Sequence, residues 1–146
     1  MSEARDRFVS ALFNTRNSLR FAMDDAFKPL GITDATWRTL FYLEQIGSGV
    51  SQRQLAEVMG IEGPSLVRLL DNLEAKGLIQ RQPSEVDRRS KCVVLTAAAR
   101  DLLVELHKVA ARVRNTILAD IDEVEIEGCV RVLERMMAAA NRLDRA

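Results

Sequence analysis

A mainly α-helical chain with one small β wing is what the sequence predicts, and three observations predict it. Leu66, Leu70 and Leu73 recur at i, i+4 and i+7, the apolar stripe of a short helix. Ser65, Arg68 and Asn72 fall on its other side. After the helix stop at Gly77, Leu78-Ile79 opens a strand, and Cys92-Val93-Val94-Leu95 closes a hairpin with Asp87-Arg88-Arg89 at its tip. Ahead of that helix, Ser51-Gln52-Arg53-Gln54 starts another short one that ends near Met59-Gly60, which leaves a three-residue joint. Two short helices at such a joint, then a basic hairpin, make a winged helix-turn-helix. In that arrangement one helix fills a DNA major groove and the hairpin reaches a neighbouring backbone or minor groove.

The elements follow in order. A long amphipathic helix spans about residues 3–27, with Phe8, Leu12, Leu19, Met23 and Phe27 on its apolar side. Pro29 and Gly31 end it. Thr33 caps the next helix, which runs through Ile46 and carries Trp37, Leu40, Phe41 and Leu43. Gly47-Ser48-Gly49 breaks it. In the following short helix Ser51 and Gln54 form a capping box, each satisfying the other's exposed backbone donor. Gly63-Pro64 starts the helix of the leucine stripe, because proline suits a first turn whose N–H has no partner anyway. Thr96 caps a long helix from Ala97 to about Asp120, and a last helix covers about residues 123–143. Glu123 and Glu125 in its first turn suit the positive end of the helix dipole.

Bulk composition narrows the function classes. The chain has 146 residues, the size of one domain, and 47% hydrophobic residues, enough for a core. The winged lobe is expected over residues 33–95, with dimerisation helices over 1–30 and 97–146. No apolar run approaches the ~18 residues of a membrane span. The start, MSEARDRF, lacks the apolar stretch of a secretion signal, and two distant cysteines suit a reduced, cytoplasmic setting. Basic and acidic residues balance at 21 each, which argues against a protein coated with phosphate contacts. The signs are separated, however. Residues 81–91 hold Arg81, Arg88, Arg89 and Lys91 against Glu85 and Asp87, while residues 120–127 hold five acidic side chains and no basic one.

The terminal helices are too apolar to stand exposed, and a small winged lobe does not need them. They are expected to pack with a second copy. Twofold symmetry then presents two recognition helices to a palindromic site.

The order of elements resembles the MarR family of bacterial transcription regulators, and its SlyA-like branch in particular. Carrying the resemblance are Lys28-Pro29-Leu30, Thr33 with Trp37, Gln54-Leu55-Ala56, Gly60-Ile61-Glu62 and Pro64-Ser65-Leu66-Val67-Arg68. Leu73-Glu74, Lys76-Gly77-Leu78-Ile79, Arg81, and Asp87-Arg88-Arg89 with Leu95-Thr96 continue it. It implies a homodimeric regulator of nearby genes that recognises a pseudo-palindromic operator. It also implies modulation by a small phenolic or aromatic carboxylate held between the dimerisation region and the DNA-binding lobe, or, in other members, oxidant sensing through cysteine.

The site residues divide by chemistry. A guanidinium grips guanine O6 and N7 with two hydrogen bonds, which suits Arg68, and the Ser65 hydroxyl reaches a base edge or phosphate. Pro64 either only starts the helix or also touches a thymine methyl. Arg88 and Arg89 occupy the wing, where arginine enters a narrow minor groove, and the family's wing arginine corresponds to Arg88. Asp87 orients an arginine. Arg81 and Lys91 meet phosphates or solvent. Gln52 and Arg53 lie where a helix start faces the backbone. Related sensors put the Trp37 position beside the effector, and Asn17, Arg20 and Arg38 are candidates to hold a carboxylate; the bland alternative for Trp37 is plain core, and for the other three a surface or interface role. Both Cys92 and Cys129 are expected to be buried and structural, with Cys92, after Lys91, the better redox candidate. One histidine and two scattered cysteines argue against a zinc site, and no cofactor is expected. No phosphate loop, nucleophile elbow or zinc-hydrolase pair suggests an enzyme. A winged-helix module that binds protein rather than DNA is the rival class.

Overall fold

The computed structural model describes residues 2–47 and 49–143. Its elements are α1 (Glu3–Phe27), α2 (Asp34–Ile46), β1 (Val50–Ser51), α3 (Gln52–Met59), α4 (Gly63–Ala75), β2 (Ile79–Pro83), β3 (Lys91–Leu95), α5 (Ala97–Ile117) and α6 (Glu123–Leu143). One turn of 3-10 helix, Lys28–Leu30, follows α1 where Pro29 forbids a further α-helical hydrogen bond. Gly31 then takes a left-handed φ of 67°, which only glycine adopts without strain. Of the expected Gly47-Ser48-Gly49 break, Ser48 lies outside the described residues.

Caps set the helix starts. Thr33 accepts from the Thr36 N–H at 3.2 Å, and the Thr36 hydroxyl accepts from the Thr33 N–H at 2.9 Å. Ser51 and Gln54 make the same reciprocal pair, both bonds at 3.1 Å. Such caps are worth ~1 kcal/mol each. Thr96 accepts from the Ala99 N–H at 3.2 Å and starts α5. That helix ends at Ile117, three residues short of the expected Asp120.

The sheet has three strands in the order β1-β3-β2, all antiparallel. The wing hairpin β2–β3 is as the sequence implies. Strand β1 is not: Val50 pairs with Val93, and Ser51, read only as a cap, pairs with Cys92. Two residues carry no period for a sequence reading to detect.

By its internal packing the chain divides into two units, residues 1–113 and 114–146. The first holds a core of Phe27, Ile32, Leu40, Leu43, Leu55, Leu66, Leu70, Leu73, Ile79, Val93, Leu103 and Leu106. All three leucines of the α4 stripe are within 1% of full burial. In α5 the buried residues are Ala99, Leu103 and Leu106. Leu102, next to Leu103, is only half-buried.

The second unit consists of the end of α5 and α6. No residue of α6 is buried, although Val124, Val130, Val132, Met136, Met137 and Leu143 are apolar and exposed. In the first unit α1 repeats the pattern: only Met23 and Phe27 are buried, and Phe13 and Phe21 stand 64% and 62% exposed.

The cysteine expectation is corrected here. Both thiols are free, Cys92 is half-buried and Cys129 is exposed. Among the described residues nothing covers Cys129, so it is not buried within this chain. Among the described residues no helix is long and apolar enough to cross a membrane.

Candidate nucleic-acid interface

Helix α4 is amphipathic for a local reason. Three leucines at helical spacing turn inward, so the residues between them must face out. Pro64, Ser65, Arg68 and Asn72 are all exposed. Arg68 is free to reach a ligand, because the ion pairs of the described residues run through other arginines: Arg20, Arg38, Arg53, Arg81 and Arg131. Asn72, one turn beyond Arg68, shares its face. An amide there is a donor and acceptor suited to an adenine edge, and the sequence had already put it on the polar side.

The C-terminal end of α4 is tied down at two points. The Lys76 ammonium donates to the Gly31 carbonyl at 2.5 Å, and the Thr96 hydroxyl donates to the Gly77 carbonyl at 2.8 Å. The first bond reaches the α1–α2 joint and the second the start of α5.

The wing loop, residues 84–90, is ordered by short side chains. Ser84 accepts from the Val86 and Asp87 N–H groups at 3.2 and 3.4 Å, and its own N–H donates to the Ser90 carbonyl at 3.0 Å. Asp87 accepts from the Arg89 N–H at 2.9 Å. Asp87 is therefore an internal partner, as expected, but it grips the backbone of Arg89 and not a guanidinium. That leaves Arg88 and Arg89 exposed at the tip, with Lys91 exposed at the start of β3. Ser84 was missed; a serine two or three residues before a turn is the signal that would have found it.

Two expected residues stand differently. Arg81 is not free to meet a phosphate. Its guanidinium binds Asp71 at 2.6 Å and Glu74 at 3.0 Å, its backbone N–H also reaches Glu74 at 3.2 Å, and its side chain is only 18% exposed. The side-chain hydrogen bond from Arg81 holds the Glu74 carboxyl below the usual carboxylate range, and the same contacts raise Arg81. Gln52 is half-buried, and its side-chain oxygen is enclosed with no hydrogen-bond partner among the described residues. Arg53 is exposed and shares only a 3.2 Å surface pair with Glu57, a contact weak enough to yield to a phosphate.

The proposed effector residues cluster in part. Trp37 is half-buried between Phe27 and Phe41, with ring centroids 5.2 and 5.8 Å away, and its indole N–H is enclosed with no acceptor among the described residues. Arg38 lies 3.2 Å from the Asp34 carboxylate, off the line of a good hydrogen bond. Asp24 accepts from the Asp34 N–H at 2.7 Å and pairs with Arg20 at 3.5 Å. Arg20 and Arg38 thus meet at one pair of carboxylates. Burial pushes the Asp34 carboxyl above its usual range, against the pull of Arg38. Asn17 is exposed on α1, away from any such contact. Among the described residues no group of three or more histidine, cysteine or acidic side chains could hold a metal.

Comparison with known proteins agrees with this architecture. A model described as MarR family matches residues 30–90. The transcriptional regulator PA3341, a crystal structure, is 39% identical, with 92% of this chain and 98% of that one covered and a TM-score of 0.83. The S. aureus MepR–DNA complex is 28% identical, with 89% and 96% covered and a TM-score of 0.79. A mutant MarR from E. coli complexed with operator DNA, 19% identical with 89% and 93% covered and a TM-score of 0.83, shares the fold. With nearly full-length likeness at 39% identity, a family match over the helix-turn-helix and wing, and the same three-stranded winged architecture, the chain belongs to the MarR family of transcriptional regulators.

Proposed function

We propose that this protein is a homodimeric, sequence-specific DNA-binding regulator that recognises a pseudo-palindromic operator. One observation carries the reading: α4 buries its three leucines and leaves Pro64, Ser65, Arg68 and Asn72 exposed, beside a hairpin whose tip exposes Arg88 and Arg89. Arg68 and Ser65 read base edges, Arg88 enters the flanking minor groove, and Arg53, Arg89, Lys91 and the N-terminal turn of α3 with Gln52 meet phosphates. The MepR likeness, at 28% identity in complex with DNA, supports it. A SlyA-like affiliation within the family rests on the motifs of residues 61–89.

A second copy is the natural cover for the exposed apolar residues of α1 and α6. The dimerisation segments are residues 1–30 and 97–146, and the lobe that reads DNA is 33–95. Two recognition helices about one turn of DNA apart, ~34–36 Å, then read two half-sites. A small aromatic acid is the effector class favoured by the acceptor-less Trp37 indole N–H and the cations Arg20 and Arg38 nearby. Such a ligand must displace Asp24 or Asp34 from those cations.

The test is selection of duplexes from a random-sequence library by the purified protein, followed by affinity measurement across salt concentrations. A preferred palindromic sequence, bound by a species of twice 16.4 kDa and weakened steeply by salt, is the expected result. A dimer with no salt-sensitive preference for any duplex refutes the reading.

A further inference from the structure

Helix α4 carries two carboxylates where a DNA reader gains nothing from negative charge. Asp71 falls three residues after Arg68 and seven after Pro64, so it shares the outward face with both. Glu74 lies three residues further, on the flank toward β2. Left unpaired, both would repel the phosphates that the face approaches. Neither is unpaired. Arg81, from β2, spans them: its guanidinium donates to Asp71 at 2.6 Å and to Glu74 at 3.0 Å, and its backbone N–H donates to Glu74 at 3.2 Å. A planar fork with several fixed donors can serve two carboxylates at once, which an ammonium cannot do with the same geometry. The lowered Glu74 carboxyl agrees with a pair that stays ionised.

The fork also joins two elements. The carboxylates belong to the helix that enters the major groove, and the arginine belongs to the first strand of the wing. Its backbone bond fixes the height of β2 against α4 at the very residue that bears the charge. We propose that Arg81 is a positioning residue: it holds the wing at a set place on the recognition helix and offsets one of the two negative charges of the helix's own carboxylates, without touching DNA. The inference rests on the DNA-binding reading above and deepens it. It also explains why a chain of zero net charge can carry a DNA-facing surface: part of its acidic content is masked where it would do most harm.

The experiment separates a masking arginine from a phosphate-contacting one. The full chain and its variants are titrated with a palindromic duplex selected by the wild type, at several salt concentrations, with melting followed by circular dichroism. Arg81→Gln alone leaves two exposed carboxylates and is expected to weaken binding on the order of tenfold. Arg81→Gln combined with Asp71→Asn and Glu74→Gln keeps a neutral hydrogen-bonding group at each position and is expected to regain wild-type affinity within about threefold, with an unchanged salt slope. A folded triple variant that stays as weak as the single one, with a slope reduced by about one ion, overturns the proposal, because Arg81 is then a phosphate contact. The double variant Asp71→Asn, Glu74→Gln needs no loss of the arginine. It is expected to bind tighter and to steepen the salt slope, and no tightening would equally overturn the proposal. Failure of the wild type to select any duplex would instead refute the DNA-binding reading itself.

Discussion

Replacing Arg68 with alanine isolates base reading from folding. The side chain is exposed, and the ion pairs of the described residues leave it free. Its neighbours Leu66 and Leu70, which carry the packing, are untouched. The fold should therefore lose no more than ~0.5 kcal/mol, the ordinary range for a surface change. Binding should lose far more. One bidentate arginine–guanine contact contributes ~1–3 kcal/mol of discrimination. The proposed symmetric dimer loses that contact in both half-sites, ~2–6 kcal/mol together, or roughly 30-fold to 26,000-fold at 1.36 kcal/mol per decade. The assay is competition anisotropy with a labelled selected duplex against unlabelled duplexes, each altered at one symmetric pair of positions. Wild type should reject each alteration by its own factor. The Arg68→Ala protein should bind the parent duplex more weakly and lose its preference at one pair of positions only. A uniform loss across every sequence, with a salt slope lowered by about one per half-site, would refute base reading and make Arg68 a phosphate contact.

Other expectations test the scaffold. Leu70→Ala removes a fully buried side chain at the centre of the α4 stripe and should cost ~2–5 kcal/mol in denaturant unfolding, with a lower midpoint. Ser51→Ala deletes one half of a reciprocal cap and should cost ~1 kcal/mol by the same measurement, with DNA specificity retained. Asp34 has a raised folded pKa, so the folded state binds protons more tightly; its contribution favours folding at low pH and is lost as pH rises above 3.8 through the raised value. Asp34→Asn should therefore melt higher than wild type at neutral pH and lose that advantage near pH 3. Glu74 runs the other way: its lowered pKa gives a contribution present above 4.5 that disappears as pH falls through the folded value, so Glu74→Gln should flatten that part of the acid unfolding curve.

The sequence alone determined the local elements and much of the reading face. Every α-helix was legible from period and punctuation: leucines at three and four, Thr33 and Ser51 as caps, Pro29, Gly60 and Gly77 as stops. These signals act within one or two turns of chain, so sequence carries them in full. The exposed side of α4 followed directly, because fixing Leu66, Leu70 and Leu73 inward leaves Arg68 and Ser65 no other direction. Tertiary structure decided what depends on distant chain. The two residues of β1 are a strand only because β3 offers an edge more than forty positions away. Arg81 looked like one more wing cation until the fold set it between Asp71 and Glu74, on a different element. Cys129, Phe8, Phe13 and Phe21 have apolar character that sequence records, but their exposure depends on whether some surface meets them, and the described chain supplies none. Periodicity states which face of a helix seeks cover; only three-dimensional packing states what covers it, because burial is a property of two surfaces and each is written in a different part of the chain.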